Sequence, residues 1–230
     1  MTDARRAWNT WRRILTGDTL ADAVLDPHGY DPAEFGLAAD EQAIVADYAR
    51  TPTATETTIG AYRRGLARNA LNALRLAPLS QRLLYSSELD IAAVAADFVQ
   101  SIGYRDDGPN FWRLAAGFVA FLTTLPAFSR PAQQDALALE AAAIALVRRL
   151  GETRPAIWPQ AAARHAVAPR HSDRFVVNRA AAVASSRHDL TPWLEDPLEF
   201  DADAELEASA RHWLIYLPAA EAAHSYAELS

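Results

Sequence analysis

The chain has 230 residues, no cysteine and no lysine, so all 22 basic side chains are arginine. Those absences exclude thiolate nucleophiles, disulfides, cysteine-ligated zinc or iron–sulfur centres, Schiff-base lysines and the lysine of a phosphate-binding loop. A net charge of −7 argues against broad nucleic-acid binding, and the apolar half of the chain includes 50 alanines, which favour helix but bury little.

The N-terminus carries arginines but no following apolar run of a secretory signal, and no apolar stretch is long enough to span a bilayer. A cytoplasmic protein is the expectation. Residues 3–16 read as a helix with Trp8, Trp11 and Leu15 on one face. Asp18 is a candidate N-cap for a short helix carrying Leu20, Val24 and Leu25, which stops at Asp26-Pro27-His28-Gly29. Another helix starts near Asp40 and ends before Pro52. The threonine-rich run from Thr51 to Thr58 is a candidate linker.

Four stronger helices follow. Ile59, Tyr62, Leu66, Ala70 and Ala73 keep 3/4 spacing over 56–76, as do Ile91, Val94, Ala95, Phe98, Val99 and Ile102 over 88–102. Phe111, Leu114, Phe118, Phe121, Leu122 and Leu125 do the same over 110–125. Pro131 opens a fourth helix that runs to Gly151. Each apolar stripe has to be buried, which implies a helical bundle.

After Gly151 the pattern changes. Residues 174–178 and 212–217 are short runs of aromatic and branched residues that read as strands. The second can form a hairpin with 224–229, and Val183 to Ser186 can pair with the first. The fold class is therefore α+β and mostly α. A 1–50 helical extension and a 56–151 bundle precede a small antiparallel β element over 152–230.

Candidate chemistry is sparse. Glu221 and His224 have Glu-x-x-His spacing, but a carboxylate-bridged di-iron bundle needs two such motifs, and these two lie in an expected hairpin. No Gly-x-Ser-x-Gly and no Gly-x-Gly-x-x-Gly occurs. The residues assemble no active site, and no metal or cofactor is expected in this chain. Arg64, Arg68 and Arg75 share one helix face, either a solvated face or a binding surface. Residues 151–187 carry a net +4, against −9 over 188–230, where Arg211 faces ten acids. Strands beside that basic run, with Arg174 and Arg179, suit either an ordinary hairpin or the uptake of an acidic peptide as an added strand.

From Ile59 to Leu74 the chain carries a Tyr62-Arg63 pair opening a helix of the pattern YR-x-x-L-x-x-N-x-x-x-A-L. A proline-led segment (Pro78 to Tyr85) follows, then a helix ending in Asp97-Phe98-Val99, and an alanine-rich helix containing Ala138-Leu139-Glu140. This succession over 59–150 resembles the accessory proteins encoded beside multinuclear non-haem iron oxidative enzymes, which modify ribosomally made peptides. Phe175 to Arg179 and Trp213 to Tyr216 stand where relatives have short strands. The size and leading helices are similar to the partner subunit of the thiaglutamate pathway in that family. The resemblance implies a non-catalytic subunit that binds a precursor peptide's leader. A separate TIM-barrel enzyme would hold the iron. It points to Arg174, Phe175, Val177, Arg179, Trp213 and Tyr216 for the peptide, and to Arg64, Arg68 and Arg75 for the enzyme interface. Relatives also carry the label of a DNA-binding domain, and a DNA-binding regulator is the alternative.

Overall fold

A computed structural model describes residues 4–26, 31–106, 108, 111–152, 180–195, 200–217 and 224–229. These residues are mostly helical, with a small antiparallel sheet in the C-terminal part, the α+β order expected. No helix among them is long and apolar enough to cross a membrane. Contacts sort the chain into two units: residues to Leu71 join Asp90–Asp106, and Asn72–Leu89 join the chain from Asp107 onward.

In the first unit, α1 (Ala4–Thr16), α2 (Asp18–Leu25) and α3 (Ala39–Ala49) pack together. Their core holds Ile14, Leu15, Leu20, Val24 and Val45, closed by Trp11 stacked on Tyr48 at 4.3 Å. Trp8 does not join it and is 58% exposed. Burial of Thr10 and Ile14 turns the inward face of α1 away from Trp8, which is left at the edge of the stripe. Asp18 is not a cap; Gly17 holds that position. The Asp18 carboxylate instead pairs with Arg63 at 2.8 Å and accepts from Gln100 at 3.2 Å.

The expected linker at 51–58 is helical. α4 (Pro52–Ala73) runs through it without a break. Proline suits the first helical position, where its missing N–H costs nothing. The threonine hydroxyls, which signal turns in a sequence, find carbonyls instead: Thr55 bonds Tyr48, Thr57 bonds Thr53, and Thr58 bonds Ala54, all at 2.8–2.9 Å. α6 (Ile91–Ser101) starts at an Asp90 cap that accepts from Ala92 and Ala93, and it buries the expected Val94, Ala95, Phe98 and Val99.

In the second unit, α5 (Pro78–Ser86) and α7 (Phe111–Leu122) pack on α8 (Pro131–Glu152). α8 also packs on a sheet of order β1-β2-β3, formed by Ala181–Ser186, Arg211–Tyr216 and Ser225–Glu228. The expected β2–β3 hairpin pairs Trp213 with Glu228 and Tyr216 with Ser225. β1 pairs with β2, Ala181 opposite Tyr216. Its expected partner run, 174–178, lies outside the described residues. A short helix, α9 (Thr191–Glu195), seats Trp193 in the core, where its Nε1 donates to the Asp201 carbonyl.

Asp135 of α8 ties the turn after β1. Its carboxylate accepts from the main-chain N–H groups of Arg187 and His188 at 2.7 and 3.1 Å, and from the Arg187 guanidinium at 2.9 and 3.0 Å. His188 Nδ1 lies 2.8 Å away. Burial alone would raise this carboxyl, but the bonds from His188 and Arg187 hold it below its ordinary range. Asp135→Ala strands those donors and should cost about 2–4 kcal/mol by urea unfolding. A depressed folded value means that the stabilisation is full at neutral pH and is lost as pH falls through that value. The acid limb of the wild-type stability profile should therefore be steeper than that of the variant.

Candidate functional site

The second unit contains a cleft of about 440 Å³ between α5, α9 and the last strand. Pro78, Leu79 and Arg82 form one wall, Thr191, Leu194 and Glu195 another, and residues 224–228 line the third side. Main-chain bonding makes that third side distinctive. Among the described residues β3 is an edge of the sheet. Bonded pairs alternate along an antiparallel ladder. Because Leu229 N–H bonds the His212 carbonyl at 2.8 Å, residues 225, 227 and 229 face β2. Tyr226 and Glu228 therefore turn their N–H and C=O groups away from β2, and both residues line the cleft. The opposite edge, β1, is partly closed: Arg149 donates to the Ala181 carbonyl at 2.9 Å.

Two half-buried polar side chains line the cleft, and a fully buried carboxylate lies near them. His224 Nε2 and the Tyr226 hydroxyl are 2.8 Å apart, with their rings edge to face. Burial lowers the His224 imidazole and raises the Tyr226 hydroxyl, which the nearby Glu140 raises further. Glu140 is fully buried on α8 and accepts the Leu79 and Ser80 N–H groups, each at 2.7 Å. These are first-turn donors of α5, which have no partner within their own helix. Burial pushes the Glu140 carboxyl up to about 7, against the pull of the Ser80 and Leu79 donors.

Among the described residues no activated nucleophile is assembled. Ser185 and His212 are 2.8 Å apart, but the serine is exposed and no carboxylate among the described residues orients the imidazole. The described histidines are engaged separately: His188 with Asp135, His212 with Ser185, His224 with Tyr226. Among the described residues no group of three or more His, Asp or Glu is placed to hold a metal ion. Glu221, and with it the Glu-x-x-His spacing, lies outside them.

Of the expected peptide-binding residues, Trp213 and Tyr216 are described. Arg174, Phe175, Val177 and Arg179 lie outside the described residues. Trp213 and Tyr216 are three apart on β2 and so point to opposite faces. Trp213 is a core residue, 3% exposed, with Nε1 donating to Ser186 Oγ at 2.8 Å, and only its edge reaches the cleft. Arg64 and Arg68 do meet, on the rim of a second concavity, of about 430 Å³, between α4 and α6. Arg75 is not with them: α4 ends at Ala73, and Arg75 sits exposed in a 3₁₀ turn of the other unit. The cleft residues Arg82, Glu195 and Tyr226 carry no sequence motif. Glu140 left one signal, a carboxylate inside the apolar stripe of Leu137, Leu139, Ala143 and Ile144.

No family model matches the chain, and no curated protein matches it.

The Glu140 carboxyl gives a measurable signature. Its folded value lies above the ordinary 4.5, so between about 4.5 and 7 the native state holds a proton that the unfolded chain releases. Stability should fall as pH rises through that window, by about 3 kcal/mol from this group. Glu140→Gln should flatten the profile between these limits, as read by urea midpoints at successive pH values.

Proposed function

We propose that this chain is a non-catalytic peptide-recognition subunit that holds an extended peptide along β3 and presents it to a separate enzyme. The observation that carries the reading is the outer edge of β3, unpaired among the described residues, beside a cleft that β3 helps to line. An extended peptide satisfies the outward main-chain groups of Tyr226 and Glu228 by adding a strand, and its side chains reach the walls supplied by α5 and α9. Arg82 and Glu195 place one charge of each sign on those walls, which suits a peptide of mixed polarity.

The nature of the enzyme comes from the sequence pattern over 59–150. On that reading the peptide is a ribosomally made precursor, and the enzyme is a multinuclear iron oxidase with the metal in its own barrel. This subunit contributes proximity and orientation, which convert a bimolecular encounter into a positioned one.

Two experiments test the proposal. Glu228→Pro removes one N–H on the outer side of β3 and leaves the β2 ladder intact, whereas Glu228→Ala keeps that N–H and removes the carboxylate. In fluorescence anisotropy with a labelled peptide encoded beside this gene, the proline variant should bind about tenfold more weakly. The alanine variant should retain affinity. Equal affinity for all three proteins would reject strand addition. Co-expression with a neighbouring barrel enzyme should give co-elution in size-exclusion chromatography, and a purely monomeric profile would reject the partnership.

A further inference from the structure

The first unit carries a concavity that the peptide reading does not use. Ala67 and Leu71 of α4 face Ala95, Ala96 and Val99 of α6 across an apolar floor, and Arg64 and Arg68 stand on the rim. Both arginines are exposed. They are one turn apart, about 6 Å along the helix, so the two charges line one side of the groove.

Neither arginine has a charged partner among the described residues, a state they share with Arg12 and Arg75 but combine here with an apolar groove. Acids outnumber arginines in this chain, 29 to 22, and other arginines have found them. Arg13 meets Glu41, Arg50 meets Asp47, and Arg63 meets Asp18; Arg130, Arg187 and Arg211 pair likewise. Arg64 and Arg68 form no ion pair or hydrogen bond among the described residues. The Arg64 guanidinium instead lies back along its own helix, where a Cβ on Gly60 would approach it to 3.1 Å. Beside them, Arg63 keeps a buried Nη2 with no hydrogen-bond partner.

We propose that this groove receives an acidic amphipathic helix of a partner protein. Alanines on both walls allow a helix backbone to come close. The floor takes leucine-type side chains at i, i+3 or i+4 and i+7. Glutamates or aspartates at i and i+4 on the flank of that helix meet Arg64 and Arg68. This surface is separate from the β3 cleft, and its failure would leave the peptide reading standing.

The test uses two fluorescein-labelled, hydrocarbon-stapled model helices with the same leucine face, one flanked by glutamates and one by lysines. Wild-type protein should bind the acidic helix and discriminate against the basic one. Arg64→Glu with Arg68→Glu should weaken the acidic helix about tenfold or more and improve the basic one. Ala96→Trp, at an exposed position on the wall, should block both. Arg75→Glu, outside the groove, and Glu228→Pro, at the cleft, should change neither. Equal binding of the two helices, no binding of either, or loss on Arg75→Glu would overturn the proposal. So would salt-sensitive binding of a short DNA duplex that the Arg64/Arg68 reversal abolishes, since the groove would then be a phosphate site.

Discussion

Glu140 sits where no solvent reaches, and its two oxygens meet the first free amide groups of α5. A helix start buried without acceptors would leave donors stranded at about 1–3 kcal/mol each, and a buried carboxylate without donors would be costlier still. Each solves the other's problem. The pair joins α8 to α5, while Tyr226 of β3 feels the same charge from the sheet side. The cleft has α5 for one wall and β3 for another, so this single group anchors one wall and acts electrostatically on the other.

Asp135, five residues earlier on α8, fastens the turn after β1 by the same chemistry, with main-chain donors from Arg187 and His188. The long helix thus bonds with carboxylates to a helix start and to a strand exit. Both carboxylates are buried, yet their titration shifts in opposite directions. Asp135 collects two main-chain donors, a guanidinium and an imidazole, and these outweigh its burial. Glu140 collects two amides, and burial wins.

Periodicity made α6, α7 and α8 legible, because each buries a continuous stripe against neighbours. The start of α4 was not legible, since Pro52 and four threonines in seven residues look like punctuation until three of their hydroxyls are seen bonding carbonyls four to seven residues back. β2 was visible from its aromatic and branched residues. β1 reads Ala-Ala-Val-Ala-Ser-Ser and gains its identity from a partner some thirty residues away. The site was harder still. Glu140 looks like an interruption of an apolar stripe unless Leu79 and Ser80, about sixty residues earlier, are known to need it. A shared strand suggested that Trp213 and Tyr216 act together, but alternation separates them.

An open strand edge is also a hazard, because its unpaired groups suit another copy of the same chain as well as any peptide. Here the edge is four residues long, too short to template an extended ladder. Glu228 closes one end of it, and Glu195 lines the cleft beside it. The shortness of the strand therefore acts as a guard against self-association.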